Sequence, residues 1–196
     1  DVVSLVLAAR DGSPLPPARA GQHLPLELAI PGQPERVRRT YSLSDGAGEG
    51  VYRISVKREP GGLASSFLHD ELHEGALVST DAPAGDFVLA PGERAIALVS
   101  AGIGITPMLA MLGELVRRED PRTIVFVHAA RDGRHHPFAA EVRALVAAAP
   151  RASLHVLYSR PRPEDRLGEG FDAVGRLDAD GLLQGGHVGD RRRVCH

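Results

Sequence analysis

The sequence predicts a two-domain chain: an antiparallel β-barrel over residues 1–92, then a doubly wound, parallel-sheet α/β domain over residues 93–196. Short alternating segments separated by turn residues fill the first part, the pattern of a small barrel or sandwich. From Glu93 onwards the rhythm changes to continuous apolar runs alternating with helical periods, as in a parallel sheet covered on both faces. Ala90-Pro91-Gly92-Glu93 marks the seam, and neither an internal repeat nor a low-complexity linker interrupts the chain.

In the first part, Val2 to Ala8 and Leu24 to Ile30 alternate, Thr40 to Ser44 is a brief strand, and Tyr52 to Lys57 sets its apolar side chains two apart. Asp11-Gly12, Pro31-Gly32, the loop Asp45 to Gly50 and Pro60-Gly61-Gly62 supply the turns. One helical stretch, Ser65 to Leu72, carries Phe67, Leu68 and Leu72 on a single face. In the second part, Ala95 to Val99, Thr123 to His128 and Ser153 to Tyr158 read as buried parallel strands, with helices expected from Pro107 to about Arg118 and from Ala139 to Ala149.

Composition narrows the function. With 43% hydrophobic residues, 196 residues suffice for real cores. The net charge of -2 comes from interspersed signs, so the basic stripe that nucleic acid or an anionic membrane demands is missing. No apolar run approaches the ~20 residues that span a bilayer, and no signal-peptide pattern opens the chain, so a cytoplasmic location is expected. The single Cys195 forms no internal disulfide and cannot by itself hold zinc or an iron-sulphur cluster. Any such cluster is expected in a partner. The chain starts inside a strand at Asp1 and stops at Arg191 to His196 as another strand begins, so it reads as a piece of something longer.

Two segments invite chemistry. Arg39-Thr40-Tyr41-Ser42-Leu43 offers a cation, an aromatic face and hydroxyls on one extended stretch, as a flavin and its phosphates require; the competing reading is an ordinary barrel strand. Gly102-Ile103-Gly104-Ile105-Thr106-Pro107, following a buried strand, lets backbone N–H groups approach an anion where a helix begins. It departs from the usual dinucleotide fingerprint in ending Thr-Pro, and Pro107 suits a first helical turn. Gly61-Gly62-Leu63-Ala64-Ser65 is either a pyrophosphate seat or a plain serine cap after a glycine turn. Ser159-Arg160 ends the third parallel strand, where Arg160 would read a 2′-phosphate or simply be solvated. His128 and His135-His136 lack the spacing and carboxylates of a metal site, and none is expected.

In order and spacing these motifs, with Ile54-Ser55-Val56-Lys57-Arg58, Ala82-Pro83-Ala84-Gly85-Asp86-Phe87 and His128-Ala129-Ala130-Arg131, resemble the ferredoxin-NADP reductase superfamily. The similarity is strongest to the reductase modules of flavohaemoglobins and of phthalate dioxygenase reductase-like oxygenase reductases, and it runs over nearly the whole chain. The resemblance implies FAD, or FMN as the alternative, held by Arg39, Tyr41, Ser42, Leu43 and Lys57, with its phosphates at Gly61, Gly62 and Ser65. It implies NAD(P)H at Gly102, Gly104, Thr106 and Pro107, with the adenosine end at Ser159 and Arg160. Ser42, Thr106 and Cys195 would stand nearest the reacting atoms.

The implied activity is that of an NAD(P)H-dependent flavoprotein reductase, passing electrons to a haem or plant-type iron-sulphur protein or fused domain. The family's Cys-Gly-Pro is not matched, because His196 follows Cys195 and the nucleotide domain stops short of its last helix. That departure leaves a second reading, a catalytically incomplete flavin-binding electron-transfer or regulatory module.

Overall fold

A computed structural model describes residues 1–45 and 50–177. They fall into two compact units, one of Asp1–Pro91 with Thr106–Arg118, the other of Gly92–Ile105 with the chain from Glu119 onwards.

In the first unit β1 (Val2–Ala8) runs antiparallel to β4 (Val51–Lys57), with Val2 opposite Lys57 and Ala8 opposite Val51. β2 (His23–Leu28) lies between β3 (Val37–Ser42) and β5 (Ser79–Thr80), also antiparallel. A bridge from Leu43 to Ile54 joins the two sheets. The alternation of Leu24, Leu26 and Leu28 turns one face of β2 inward, where these leucines pack with Ile54, Val56 and Leu68 of α1 (Leu63–Asp70). α1 starts two residues before the expected Ser65, because Gly61, at φ 71, turns the chain so that Gly62 already caps it. β3 starts three residues before Thr40: Arg38 and Arg39 mask the alternation, yet both pair with β2.

The second unit carries a parallel sheet of β6 (Ile96–Ala101), β7 (Ile124–Ala130), β8 (Ala152–Tyr158) and β9 (Ala173–Val174), neighbours in that order. Leu98, Phe126 and Leu154 stand side by side in register on one face. Val99, Val127 and Leu157 occupy the other, which explains why these strands read as unbroken apolar runs. α3 (Ala139–Ala148) connects β7 to β8. After β6 a 3-10 turn, Gly102–Gly104, leads directly into α2 (Ile105–Arg117). α2 therefore begins two residues before the expected Pro107, which still lies in the first turn where its missing N–H has no partner to lose. The fold class is thus the expected one, an antiparallel half followed by a parallel α/β half.

Candidate functional site

β3 builds the first cluster. Arg39 and Tyr41, two apart, share one face of the strand and stand opposite Leu26 and Leu24, whereas Ser42 projects from the other face beside His23. Tyr41 packs partly against the core of the first unit, and this burial raises its phenol pKa against the opposing pull of the Arg39 guanidinium. The ring is therefore held, and its hydroxyl stays protonated. Arg38 faces away and pairs with Asp81. Arg39 is exposed, and its Nη1 donates to the neighbouring Arg38 carbonyl at 2.7 Å; among the described residues the rest of the fork is open. The Leu43 side chain packs in the core, and its N–H donates to the Gln22 carbonyl at 2.9 Å.

The second cluster is the entry of α1. Gly62 is the N-cap and supplies no side-chain bond to the first turn, so the leading N–H groups point out unpaired by helix geometry. That is a seat for an anion. A Cβ at Gly62 would stand 2.5 Å from Ser65 Oγ, so a larger residue there would displace that hydroxyl. The Ser65 hydroxyl is turned inward: it accepts from Glu59 N at 3.1 Å and lies 3.2 Å from the Gly62 carbonyl oxygen. It shapes the seat from beneath. Lys57 is paired with Glu59 at 3.4 Å.

In the second unit the Gly102–Gly104 turn leaves the carboxyl end of β6, where ligands of open parallel sheets bind. Gly102 needs its residue type for conformation, at φ 52. Neither Gly102 nor Gly104 has any atom within 4 Å of where a Cβ would stand, which leaves the backbone approachable. Thr106, the next residue but one after the turn and the first of the α2 segment that belongs to the first unit, is buried, at 5% exposure. The ends of β7 and β8 are laced together: Ser159 N donates to the Ala130 carbonyl at 3.0 Å, and Arg160 N to that of Arg131 at 2.8 Å. The Arg160 side chain is exposed at that rim. Cys195 lies outside the described residues.

One group escaped the sequence reading. Ser100 Oγ lies 2.9 Å from His128 Nδ1; the His128 ring stacks on His136, centroids 4.8 Å apart; and His136 Nδ1 lies 3.0 Å from the Tyr158 hydroxyl. Burial, with His136 next to it, pushes the His128 pKa down to about 3. Burial, with Arg143 nearby, pushes His136 down to about 4. Both rings are neutral at neutral pH. The unfolded chain would protonate each below about 6.5, so their contribution to stability is complete above that pH and is lost as the pH falls towards 4 and then 3. Acid denaturation of the second unit is expected to show a slope of up to about 1.4 kcal/mol per pH unit for each histidine, and His128→Phe should flatten it. Among the described residues no group of three or more His, Cys, Asp or Glu could hold a metal, and no helix is long and apolar enough to cross a membrane.

Comparisons with known proteins fall on the same two regions. The oxidoreductase FAD-binding domain family matches residues 16–89, and the oxidoreductase NAD-binding domain family matches residues 98–176. A flavohemoprotein of Deinococcus radiodurans is 44% identical over 181 residues, covering 92% of this chain and 45% of the relative. One from Bacillus subtilis is 40% identical over 187 residues, covering 94% and 46%. The chain thus spans about half the length of the curated relatives it matches. Among solved structures, the flavohem-like FAD/NAD-binding domain of nitric oxide dioxygenase from Vibrio cholerae superposes with a TM-score of 0.82 at 33% identity, covering 91% of this chain and 75% of that one. Phthalate dioxygenase reductase follows the same fold, with a TM-score of 0.67 at 32% identity over 86% of this chain and 50% of that one.

Proposed function

Because the chain belongs to the flavohemoprotein-type FAD- and NAD-binding oxidoreductases, we propose that it is the reductase module of a longer electron-transfer protein, with residues 1–92 holding FAD and residues 93–196 holding NAD(P)H. Bound FAD supplies the acceptor for a nicotinamide hydride and releases electrons singly. The observation that carries the reading is that one and the same unit holds Tyr41 with an open Arg39 fork on one strand face and also the uncapped entry of α1.

The residues divide the work. Tyr41 lays its ring against the flavin and excludes water from that side. Arg39 and the N–H groups that follow Gly62 neutralise phosphate, with Gly61 turning the chain, Ser65 fixing the loop and Lys57 adding positive charge. Ser42 and Thr106 orient the reacting groups, and Leu43 backs them from the core. Gly102, Gly104 and Pro107 shape the turn that receives the nicotinamide nucleotide, and Ser159 and Arg160 take its adenosine end. The acceptor is a haem domain, as the flavohemoprotein relatives favour, and the location is the cytoplasm.

Anaerobic mixing of the FAD-loaded protein with NADH or NADPH tests this. Rapid bleaching of the flavin is the expected result. Bleaching by dithionite but by neither nucleotide would overturn it and leave a flavin-binding module unable to accept hydride.

A further inference from the structure

The buried string in the second unit is built from residues that a merely packed sheet would not choose. Ser100 and His128 are neighbours in register across β6 and β7, and Ala130 is level with Tyr158 across β7 and β8, so the string crosses the sheet at its carboxyl end. Residues on the same face nearer the amino end, Leu98 with Phe126 and Leu154, are apolar. The switch to polar groups occurs only where the loops leave the sheet. His128 is fully buried, and among the described residues its Nε2 has no partner.

That orphan fixes the most economical proton arrangement. Nδ1–H of His128 donates to Ser100 Oγ, whose own hydroxyl donates on to the Val127 carbonyl at 3.4 Å, leaving Nε2 as a bare acceptor rather than a buried, unpaired donor. Beyond the stack, His136 engages Tyr158, whose ring in turn stacks on Phe171, centroids 4.7 Å apart. Two residues after Ser100 comes Gly102, and directly after Tyr158 come Ser159 and Arg160.

We propose that Ser100, His128, His136 and Tyr158 are positioning residues for the nicotinamide nucleotide: they tie the strand end that launches the Gly102–Gly104 turn to the strand end that launches Ser159 and Arg160, and so set the spacing between the two parts of the nucleotide site. This rests on the reading that the second unit binds NAD(P)H. The string touches no ligand. It acts by removing freedom that the loops would otherwise surrender on binding. An apolar ring at His128 or His136 would fill the space but could not hold Ser100 or Tyr158.

Ser100→Ala and Tyr158→Phe each delete one hydroxyl while keeping the packed shape. The test is calorimetric titration of NAD+ and NADP+ into the FAD-loaded protein. Each single variant is expected to bind the preferred nucleotide about three- to tenfold more weakly, the scale of one net hydrogen bond, with flavin content unchanged. The double variant should lose little more than the worse single one, since the string acts as a unit. His136→Phe should lose affinity, and His136→Asn, whose Oδ1 can accept from Tyr158, should recover part of it. Variants that bind as tightly as the parent, or that lose only melting temperature, would overturn the proposal. A parent that binds neither nucleotide would instead overturn the reading beneath it.

Discussion

The double variant Arg39→Ala, Tyr41→Ala is expected to purify colourless and to bind added FAD on the order of a hundredfold more weakly than the parent. A charge-assisted bond to phosphate contributes roughly 1.5–3 kcal/mol, and an aromatic contact roughly 0.5–1.5 kcal/mol. The fold should survive, because Arg39 is exposed and Tyr41 only flanks the leucine core. Circular dichroism of the apo-protein checks that, and flavin titration gives the affinity. The strand supplies its own control. Arg38 is next in sequence but lies on the opposite face against Asp81, so Arg38→Ala should retain flavin. Equal losses from Arg38→Ala and Arg39→Ala would mean that general positive charge, not a face of β3, holds the cofactor.

A substitution at Gly21 should do more damage than any at the site itself. Gly21 has φ 100, a conformation L residues rarely adopt, and a Cβ there would stand 2.1 Å from the Phe87 carbonyl oxygen and 2.4 Å from Met111 Cε. The methionine tip could move; the carbonyl belongs to backbone. Its neighbours hold the same segment: Gln22 Nε2 donates to the Gly85 carbonyl at 3.3 Å, and His23 exchanges two bonds with Ala84, each at 2.9 Å. Gly21→Ala is therefore expected to destabilise the first unit by on the order of 3 kcal/mol or more, combining backbone strain with an unrelieved clash. Gly12→Ala and Gly32→Ala also replace glycines of positive φ, but their Cβ positions meet nothing within 4 Å, so about 1 kcal/mol is expected from each. Thermal unfolding of the three variants compares them directly. Flavin binding should fail with Gly21→Ala only as a consequence, because β2 supports β3.

What could be read in advance follows from periodicity. The inward leucines of β2 and the shared face of Arg39 and Tyr41 both come from a repeat of two, which is local and visible. β5 and β9 have two residues each, too few for any period to register. The clash at Gly21 and the inward turn of the Ser65 hydroxyl depend on segments brought together from a distance or on the exact loop path, which no local pattern encodes. Ser100 and His128 each look like a single polar interruption in an apolar strand. Their partnership appears only when parallel register sets residues 28 apart side by side. Nothing in the spacing of His128 and His136 pointed to their actual use, as stacked, neutral rings that engage hydroxyls.

The most direct measurement is single-turnover reduction of the FAD-loaded protein by nicotinamide nucleotide deuterated at C4, compared with the protiated form under anaerobic conditions. Direct hydride transfer requires the reacting atoms within about 3–3.5 Å, and flavin bleaching should then show a primary isotope effect for one C4 face, absent when dithionite is the reductant. Bleaching with identical rates for both isotopic forms at either face would contradict hydride transfer as the step that limits reduction, and no bleaching at all would contradict the reductase assignment itself.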